Sequence, residues 1–157
     1  MIEIERKFWV AKEKWKPAGE GRKLVQGYLS VDPERTIRVR IVGEQAFITI
    51  KGKTEGIRRT EFEYKIPKSE GEILLNMCLY SPVEKIRFKE KIGDCVWEID
   101  VFGGANQGLI LAEVELEQDD QQIQLPAWVG KEVSGDVRFY NSYLAVHPFS
   151  FWQNKPI

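Results

Sequence analysis

Histidine is nearly absent, with His147 standing alone in 157 residues. That excludes a histidine-rich metal site, and any Ser-His-Asp or Cys-His arrangement would have to use this one residue near the C-terminal end. Beside Pro148 it reads as a surface side chain. Cysteine is almost as scarce. Cys78 and Cys95 fit no CxxC or zinc spacing and read as reduced thiols of a cytoplasmic protein. No apolar run approaches the ~18 residues that a membrane helix needs, and charge begins at Glu3, which argues against a signal peptide. Neither sign of charge prevails. The net charge is −1, so no overall field draws the chain to nucleic acid or to an anionic membrane. What the sequence does contain is charge itself, 30% of its residues in nearly equal numbers of each sign. The length suits a single domain, residues 1–157, with one buried core.

The charge gathers on alternate faces of short extended segments. Over residues 2–8, Glu3, Glu5 and Lys7 share one face of a strand while Ile2, Ile4 and Phe8 share the other. Two carboxylates about 7 Å apart on one face repel unless something lies between them, and a divalent cation is the natural candidate. Taken alone, the segment reads more simply as an exposed edge strand with a polar face, and it is the recurrence of the pattern that shifts the balance. Residues 10–21 read as a short helical turn and a loop. The alternation then recurs at 25–31 (Gln26, Tyr28 and Ser30), 35–42 (Arg38 and Arg40), 45–51 (Thr49 and Lys51) and 59–66 (Arg59, Glu61, Glu63 and Lys65). It continues at 84–92 (Lys85, Arg87 and Lys89), 95–102 (Glu98 and Asp100) and 109–117 (Glu113, Glu115 and Glu117). Phe47 breaks the pattern on a polar face. Gly43-Glu44 and Gly93-Asp94 are hairpin turns. A helix is predicted over 69–79, capped by Ser69, with a stripe of Ile73, Leu74, Met77 and Cys78, and ended by Ser81-Pro82. A short helix broken by Pro126 is expected at 119–129 and a closing helix at 136–146. The aromatic tail from His147 either docks or frays.

Eight amphipathic strands joined by short turns allow two barrels. In the ordinary one the apolar faces turn inward and the charges face water. In the inverted one the apolar faces lie outside beneath helices, and the charges line a wet lumen. The inverted barrel gives helices 69–79 and 136–146 a surface to cover and spares a small interior from Phe62, Phe88 and Trp97. A charged interior is costly without counterions. It becomes reasonable around a polyanion and metal ions. Arginines and lysines aimed at one axis suit phosphoryl oxygens. Carboxylates without histidine or cysteine select hard cations, Mg²⁺ or Mn²⁺. Lys51-Gly52-Lys53-Thr54 is no P-loop, because Phe47 occupies the position of the first glycine, and Gly103 to Gly108 lacks the lysine. Basic residues interleaved with acids give nucleic-acid binding little support.

Glu3-Ile4-Glu5-Arg6-Lys7 resembles the ExExK signature of the CYTH superfamily, the triphosphate tunnel metalloenzymes. The resemblance continues through Gln26-Gly27-Tyr28-Leu29, Thr36-Ile37-Arg38-Val39-Arg40, Thr49-Ile50-Lys51-Gly52 and Arg59-Thr60-Glu61-Phe62-Glu63-Tyr64. It extends over Lys85-Ile86-Arg87, Glu98-Ile99-Asp100, Glu113-Val114-Glu115-Leu116 and the stretch from Val133 to Asn141. It implies an α+β, mainly β chain: an eight-stranded antiparallel closed β-barrel, or tunnel, with a charged interior and helices packed outside. It further implies triphosphate held by Lys7, Arg38, Arg40, Lys51, Lys85 and Arg87, with Arg59 added. Metal would be bound by Glu3, Glu5, Glu63, Asp100, Glu113 and Glu115, with Glu61 added. Arg59, Glu61, Lys65, Lys89 and Glu98 fall toward the rims. Arg138 makes an ion pair or closes a mouth. The implied activity is hydrolysis of tripolyphosphate to pyrophosphate and phosphate with two Mg²⁺ or Mn²⁺ ions. Lys7, Tyr28 and Glu5 stand at the reacting centre, where Lys7 and Tyr28 share a proton if their strands pair. A class IV adenylate cyclase, a thiamine triphosphatase and a non-catalytic polyphosphate-binding module are the alternatives. The expected partner is a small polyphosphate, with neither nucleic acid nor membrane, and a homodimer is compatible with the pattern.

Overall fold

In the computed structural model, which describes residues 1–155, every amphipathic segment is a strand. These are β1 (Ile2–Val10), β2 (Arg22–Ser30), β3 (Arg35–Val42), β4 (Gln45–Gly52) and β5 (Arg58–Ile66), then β6 (Leu79–Ile92), β7 (Cys95–Phe102) and β8 (Ile110–Glu115). Antiparallel neighbours run β5-β4-β3-β2-β6-β7-β8-β1, and β1 returns to pair with β5, which closes the ring. Closure uses only the first half of β1, where Ile2, Glu3 and Ile4 face Thr60, Arg59 and Arg58. The second half of that edge takes an additional strand, β9 (Val129–Glu132), through Phe8 and Val10. Gly43 and Gly93 open two of the hairpin turns with φ of 58° and 62°, a region that glycine enters without strain.

The apolar faces do turn outward, but helices are not their main cover. Over β1, β7 and β8 the outer residues Ile4, Phe8, Trp97, Ile99, Ala112 and Val114 form a buried cluster. Ile123 and Trp128 close it from above. Residues 119–129 hold no helix. Pro126 removes a backbone donor, and the segment spends its apolar residues as a coil strapped over the wall before becoming β9. Trp128 and Phe8 each meet the Trp97 ring at 5.5 Å. Trp15, from the loop after β1, covers Phe88 in the same way at 5.3 Å.

Helix α1 (Lys68–Asn76) begins at Pro67 rather than at a Ser69 cap, and no side chain caps it. Its contacting face is also shifted. Ile73 and Met77 are exposed, while Gly71 is buried and Leu74, Leu75 and Cys78 are half-buried. A Cβ on Gly71 would stand 2.5 Å from the Ala46 Cβ, so this glycine lets the helix lie close on β4 and sets the face 71, 74, 75, 78. Ser81-Pro82 does not end the helix. Both residues lie inside β6, where the register slips from Gln26↔Val83 to Tyr28↔Leu79 and Tyr80 takes a φ of 63°. A proline is tolerated in such a bulge because it needs no ladder partner there.

The predicted 136–146 helix divides into a 3-10 turn (Val137–Phe139) and α2 (Asn141–Val146), parted by the extended Tyr140. Nor does this segment cover the outside. At one end of the barrel the inward positions Trp9, Tyr28, Val83, Phe102, Leu109 and Leu111 are apolar, and Phe139, Leu144, Ala145 and Phe149 pack onto them. The aromatic tail docks: the Phe149 backbone N–H donates to Asn106 Oδ1 at 2.8 Å. One mouth is thereby stoppered. Among the described residues no helix is long and apolar enough to cross a membrane.

Candidate functional site

Above the stopper the inward positions become charged and enclose a cavity of about 310 Å³. Lys7, Arg38, Arg40, Lys51, Arg59, Lys85 and Arg87 line it, interleaved with Glu3, Glu5, Glu61, Glu63, Glu98, Glu113 and Glu115. The antiparallel register explains the interleaving, because Lys7 lies opposite Glu113, Glu5 opposite Glu115, and Arg87 opposite Asp100. Arg59 and Glu98, expected toward the rims, border the same space. Lys65 and Lys89 do not, and both are exposed.

The deepest layer is a buried charge network. Arg87 donates to Asp100 twice, Nε to Oδ1 at 2.7 Å and Nη2 to Oδ2 at 2.8 Å. Lys85 Nζ lies 2.7 Å from Asp100 Oδ2 and donates to Asn141 Oδ1 at 2.8 Å. Both Asp100 oxygens are thus taken, and this residue, expected among the metal carboxylates, is wholly buried behind the cavity lining. Burial, opposed by Asp100 and reinforced by Arg87 and Arg40, pulls Lys85 down to about 7. Asn141 also accepts from Gln26 Nε2 at 2.9 Å, and Gln26 Oε1 accepts from Arg40 Nε at 2.9 Å. The C-terminal segment is in this way hydrogen-bonded to the cations of β3 and β6.

The basic layer is under-supplied with counter-charge. Burial first, then Arg38 and Arg87, lower Arg40 to about 9, which marks a place where an added anion is favoured. Arg38 spans to Thr49 Oγ1 at 3.0 Å and Glu63 Oε2 at 3.5 Å, yet its buried Nε has no partner. A buried donor left unmade costs its full desolvation, so it points to an acceptor that arrives with a ligand. Lys51 bridges Glu3 Oε1 at 2.9 Å and Glu61 Oε2 at 3.2 Å. Arg59 is fixed by Gly52 O at 2.7 Å and Thr36 Oγ1 at 3.2 Å.

The acidic layer lies across the cavity. Burial and the neighbouring Glu113 carboxylate push Glu5 well above the usual carboxylate range. Burial alone would raise Glu113 too, but Lys7 and Arg87 outweigh it and hold this group well below that range. Of the two, Glu5 is therefore the one that keeps a proton to higher pH. Burial also raises Glu3, in spite of Lys51. No group of three metal-ligating side chains forms a ready-made site among the described residues. The donor set nevertheless fits a hard divalent cation, since Mg²⁺ commonly takes one or two carboxylates and completes its shell with water and phosphate oxygens.

Lys7 and Tyr28 both line the cavity, but their strands do not pair. In the ring β1 and β2 are separated by three strands on either side, so the shared-proton arrangement has no support from strand pairing. Lys7 Nζ instead donates to Phe139 O at 3.1 Å and stands 3.9 Å from Glu113 Oε1. The Tyr28 hydroxyl accepts from Gln26 Nε2 at 3.4 Å. Arg138 makes the expected ion pair, to Asp136 at 2.6 Å, and His147 is exposed.

The sequence matches the CYTH domain over residues 1–140. The chain belongs to the CYTH family. It is 40% identical over 148 residues to an inorganic triphosphatase of Acetivibrio thermocellus, covering 94% of this chain and 95% of that one. It is 38% identical over 152 residues to an inorganic triphosphatase of Nitrosomonas europaea, covering 93% and 98% respectively. A solved structure of an inorganic triphosphatase superposes with a TM-score of 0.65 at 37% identity over 91% of this chain and 97% of its own. In this CYTH chain, sequence reasoning passed over Thr36, Ser134, Tyr140 and Asn141, all of which border the cavity. The last three fall in the stretch from Val133 to Asn141, whose likeness to the family was the available signal.

Proposed function

We infer that this chain hydrolyses inorganic triphosphate to pyrophosphate and phosphate. The observation that carries the reading is the set of buried cations around one cavity, with the Arg38 Nε unpartnered and Arg40 depressed by burial and then by its cationic neighbours. Such a set favours a dense anion, and the curated relatives named above are inorganic triphosphatases. Lys7, Arg38, Arg40, Lys51, Arg59, Lys85 and Arg87 would hold the three phosphoryl groups through charge-assisted hydrogen bonds. Asp100, with both oxygens on Lys85 and Arg87, would hold those cations in place rather than bind metal.

Glu5 and Glu113, with Glu3 and Glu115 beside them, would hold a divalent cation, Mg²⁺ or Mn²⁺. When bound, it supplies charge neutralisation on the phosphate oxygens and a more acidic attacking water. The protein's own contribution is positioning. Lys7, tethered to Phe139 O, and Arg87, tethered to Asp100, would face the charge that grows as the terminal P–O bond lengthens. Glu61 and Glu63, each paired with a cation, would orient Lys51 and Arg38. Tyr28 would act through Gln26 on Arg40 and not as a proton carrier.

The free thiols of Cys78 and Cys95 support a cytoplasmic setting. The uncovered outer residues Ile50, Phe62 and Tyr64 support a homodimer. A phosphate-release panel of tripolyphosphate, ATP, thiamine triphosphate and pyrophosphate, each with Mg²⁺ and Mn²⁺, tests the reading. Tripolyphosphate should be the best substrate, and cyclic AMP formed from ATP would replace the triphosphatase with a cyclase.

A further inference from the structure

At Tyr140 the C-terminal segment pauses between its 3-10 turn and α2, with φ −72° and ψ 136°. Its neighbours on both sides are anchored. The Phe139 ring is buried in the stopper and its carbonyl accepts from Lys7 Nζ at 3.1 Å, while Asn141 Oδ1 accepts from Lys85 and Gln26. The Tyr140 backbone is occupied as well. Its N–H donates to Val137 O at 3.1 Å, and its carbonyl accepts from the Tyr143 and Leu144 N–H groups at 3.0 Å each. The ring is therefore carried on a fixed stretch of chain, half-buried at the cavity lining.

Two cavity cations share that ring. Lys7 Nζ lies 5.9 Å and the Arg59 guanidinium 5.8 Å from its centre, within the ~6 Å over which an aromatic face attracts a cation. The two come from β1 and β5, the strands whose pairing closes the barrel. Neither has a close carboxylate. Lys7 stands 3.9 Å from Glu113. Arg59 bonds the neutral Gly52 O and Thr36 Oγ1, and Glu3, its partner across the β1–β5 ladder, is taken by Lys51 at 2.9 Å. The choice of counter-group matters. A carboxylate between these cations would repel an arriving phosphoryl group, whereas an aromatic face holds them without carrying a formal charge.

We propose that Tyr140 is a positioning residue that sets the spacing of Lys7 and Arg59 about one end of the bound triphosphate. The proposal rests on the reading of the tunnel as a triphosphate site. The ring orders two long side chains before the anion arrives, so less rotamer freedom is lost on binding. Lys7 keeps its tether to Phe139 O without the ring, so the gain falls on affinity rather than on the chemical step.

The test compares the full-length wild type with Tyr140→Phe, Tyr140→Leu and Tyr140→pentafluorophenylalanine. The last keeps the shape of the ring and reverses its quadrupole, so a ring that merely fills space would not register the change. Calorimetry in a chelator reads the affinity for tripolyphosphate without turnover, and phosphate release with Mg²⁺ reads kcat and KM. Tyr140→Phe should stay within about twofold of the wild type in both. The leucine and pentafluorophenylalanine variants should bind about tenfold more weakly and raise KM to match, with kcat within about threefold. In an Arg59→Ala background the penalty of Tyr140→Leu should shrink to about threefold, because only Lys7 is left on the ring. Equal affinity of the phenylalanine and pentafluorophenylalanine variants, or an undiminished leucine penalty beside Arg59→Ala, would overturn the proposal. A wild type that binds tripolyphosphate with this dependence on Tyr140 but does not hydrolyse it would keep the proposal and refute the triphosphatase reading.

Discussion

The two walls of the tunnel are built differently. The acidic wall, β1, β7 and β8, is backed on its outside by a packed core in which Trp97, Ile99 and Val114 have no exposed surface. The basic wall, β3, β4 and β5, is covered over Val39 and Ala46 but opens to solvent toward β5, with Phe62 45% and Tyr64 54% exposed. Helix α1 covers only part of it, along the close contact of Gly71 with Ala46. A strand packed on both faces holds its side chains in fixed places, whereas one covered on a single face has room to adjust. The difference suggests a division of labour. Carboxylates that must present a cation at fixed distances sit on the stiff wall. Four of the long cations that close on a polyanion, Arg38, Arg40, Lys51 and Arg59, sit on the compliant one, while Lys7 reaches in from the stiff wall.

That comparison can be broken in several places. The largest effect should come from Asp100→Ala, which takes from buried Lys85 its ion-pair partner and from Arg87 its two-bond partner, leaving Arg87 only Glu98 and Glu113. A loss of about 3–5 kcal/mol is expected in denaturant unfolding, with activity lost as well. Trp97→Ala should cost about 3–5 kcal/mol, whereas Phe62→Ala on the other wall should cost no more than about 1 kcal/mol. Equal losses would remove the distinction between the walls. Arg40→Ala should leave the unfolding midpoint near that of the wild type and cut kcat/KM for tripolyphosphate by about 10²-fold or more, since it deletes a donor from the anion site.

Metal affinity supplies the pH test. Glu5 holds its proton to higher pH than an ordinary carboxylate, so a cation must displace that proton. Affinity should fall as pH falls through this raised pKa and level off above it, with protons released on binding. In the metal-free protein the sign is reversed. Protonated Glu5 favours the fold below that pKa, and the contribution is lost as pH rises through it. Glu5→Gln should flatten the metal-affinity profile in titration calorimetry. The smallest effect is expected from Tyr28→Phe. It removes one long hydrogen bond from Gln26, so it should lower turnover modestly without changing the shape of the pH–rate profile.

The strands were legible because each carries a strict two-residue alternation of charged and apolar side chains, and hairpin turns confine their partners. The inward face of Glu3, Glu5 and Lys7 follows from the same rule, whereas Asp100 lies behind the lining, and Arg59, Glu61 and Glu98, expected toward the rims, are part of it. What escaped depends on contacts between parts of the chain distant in sequence. The strap over residues 119–129 looks helical by composition and is held as a coil by Trp97, a residue more than twenty positions away. Gly71 carries no apolar signal, yet its missing side chain decides which face of α1 meets the sheet. The stopper was misplaced because the inward positions of Trp9, Phe102 and Leu111 are apolar at one end only, and alternation does not say which end a C-terminal segment will enter. Asn141 is a neutral side chain in a charged site. Only its three-dimensional place between Lys85 and Gln26 reveals it.

The most direct measurement is phosphate release from tripolyphosphate by the wild-type protein, with and without a divalent cation. Release of one phosphate and one pyrophosphate per tripolyphosphate, dependent on the cation and lost in Arg40→Ala, is the predicted result. Release that persists undiminished in a chelator, or no release with either Mg²⁺ or Mn²⁺, would contradict a tunnel whose acids hold a cation and whose bases hold the anion.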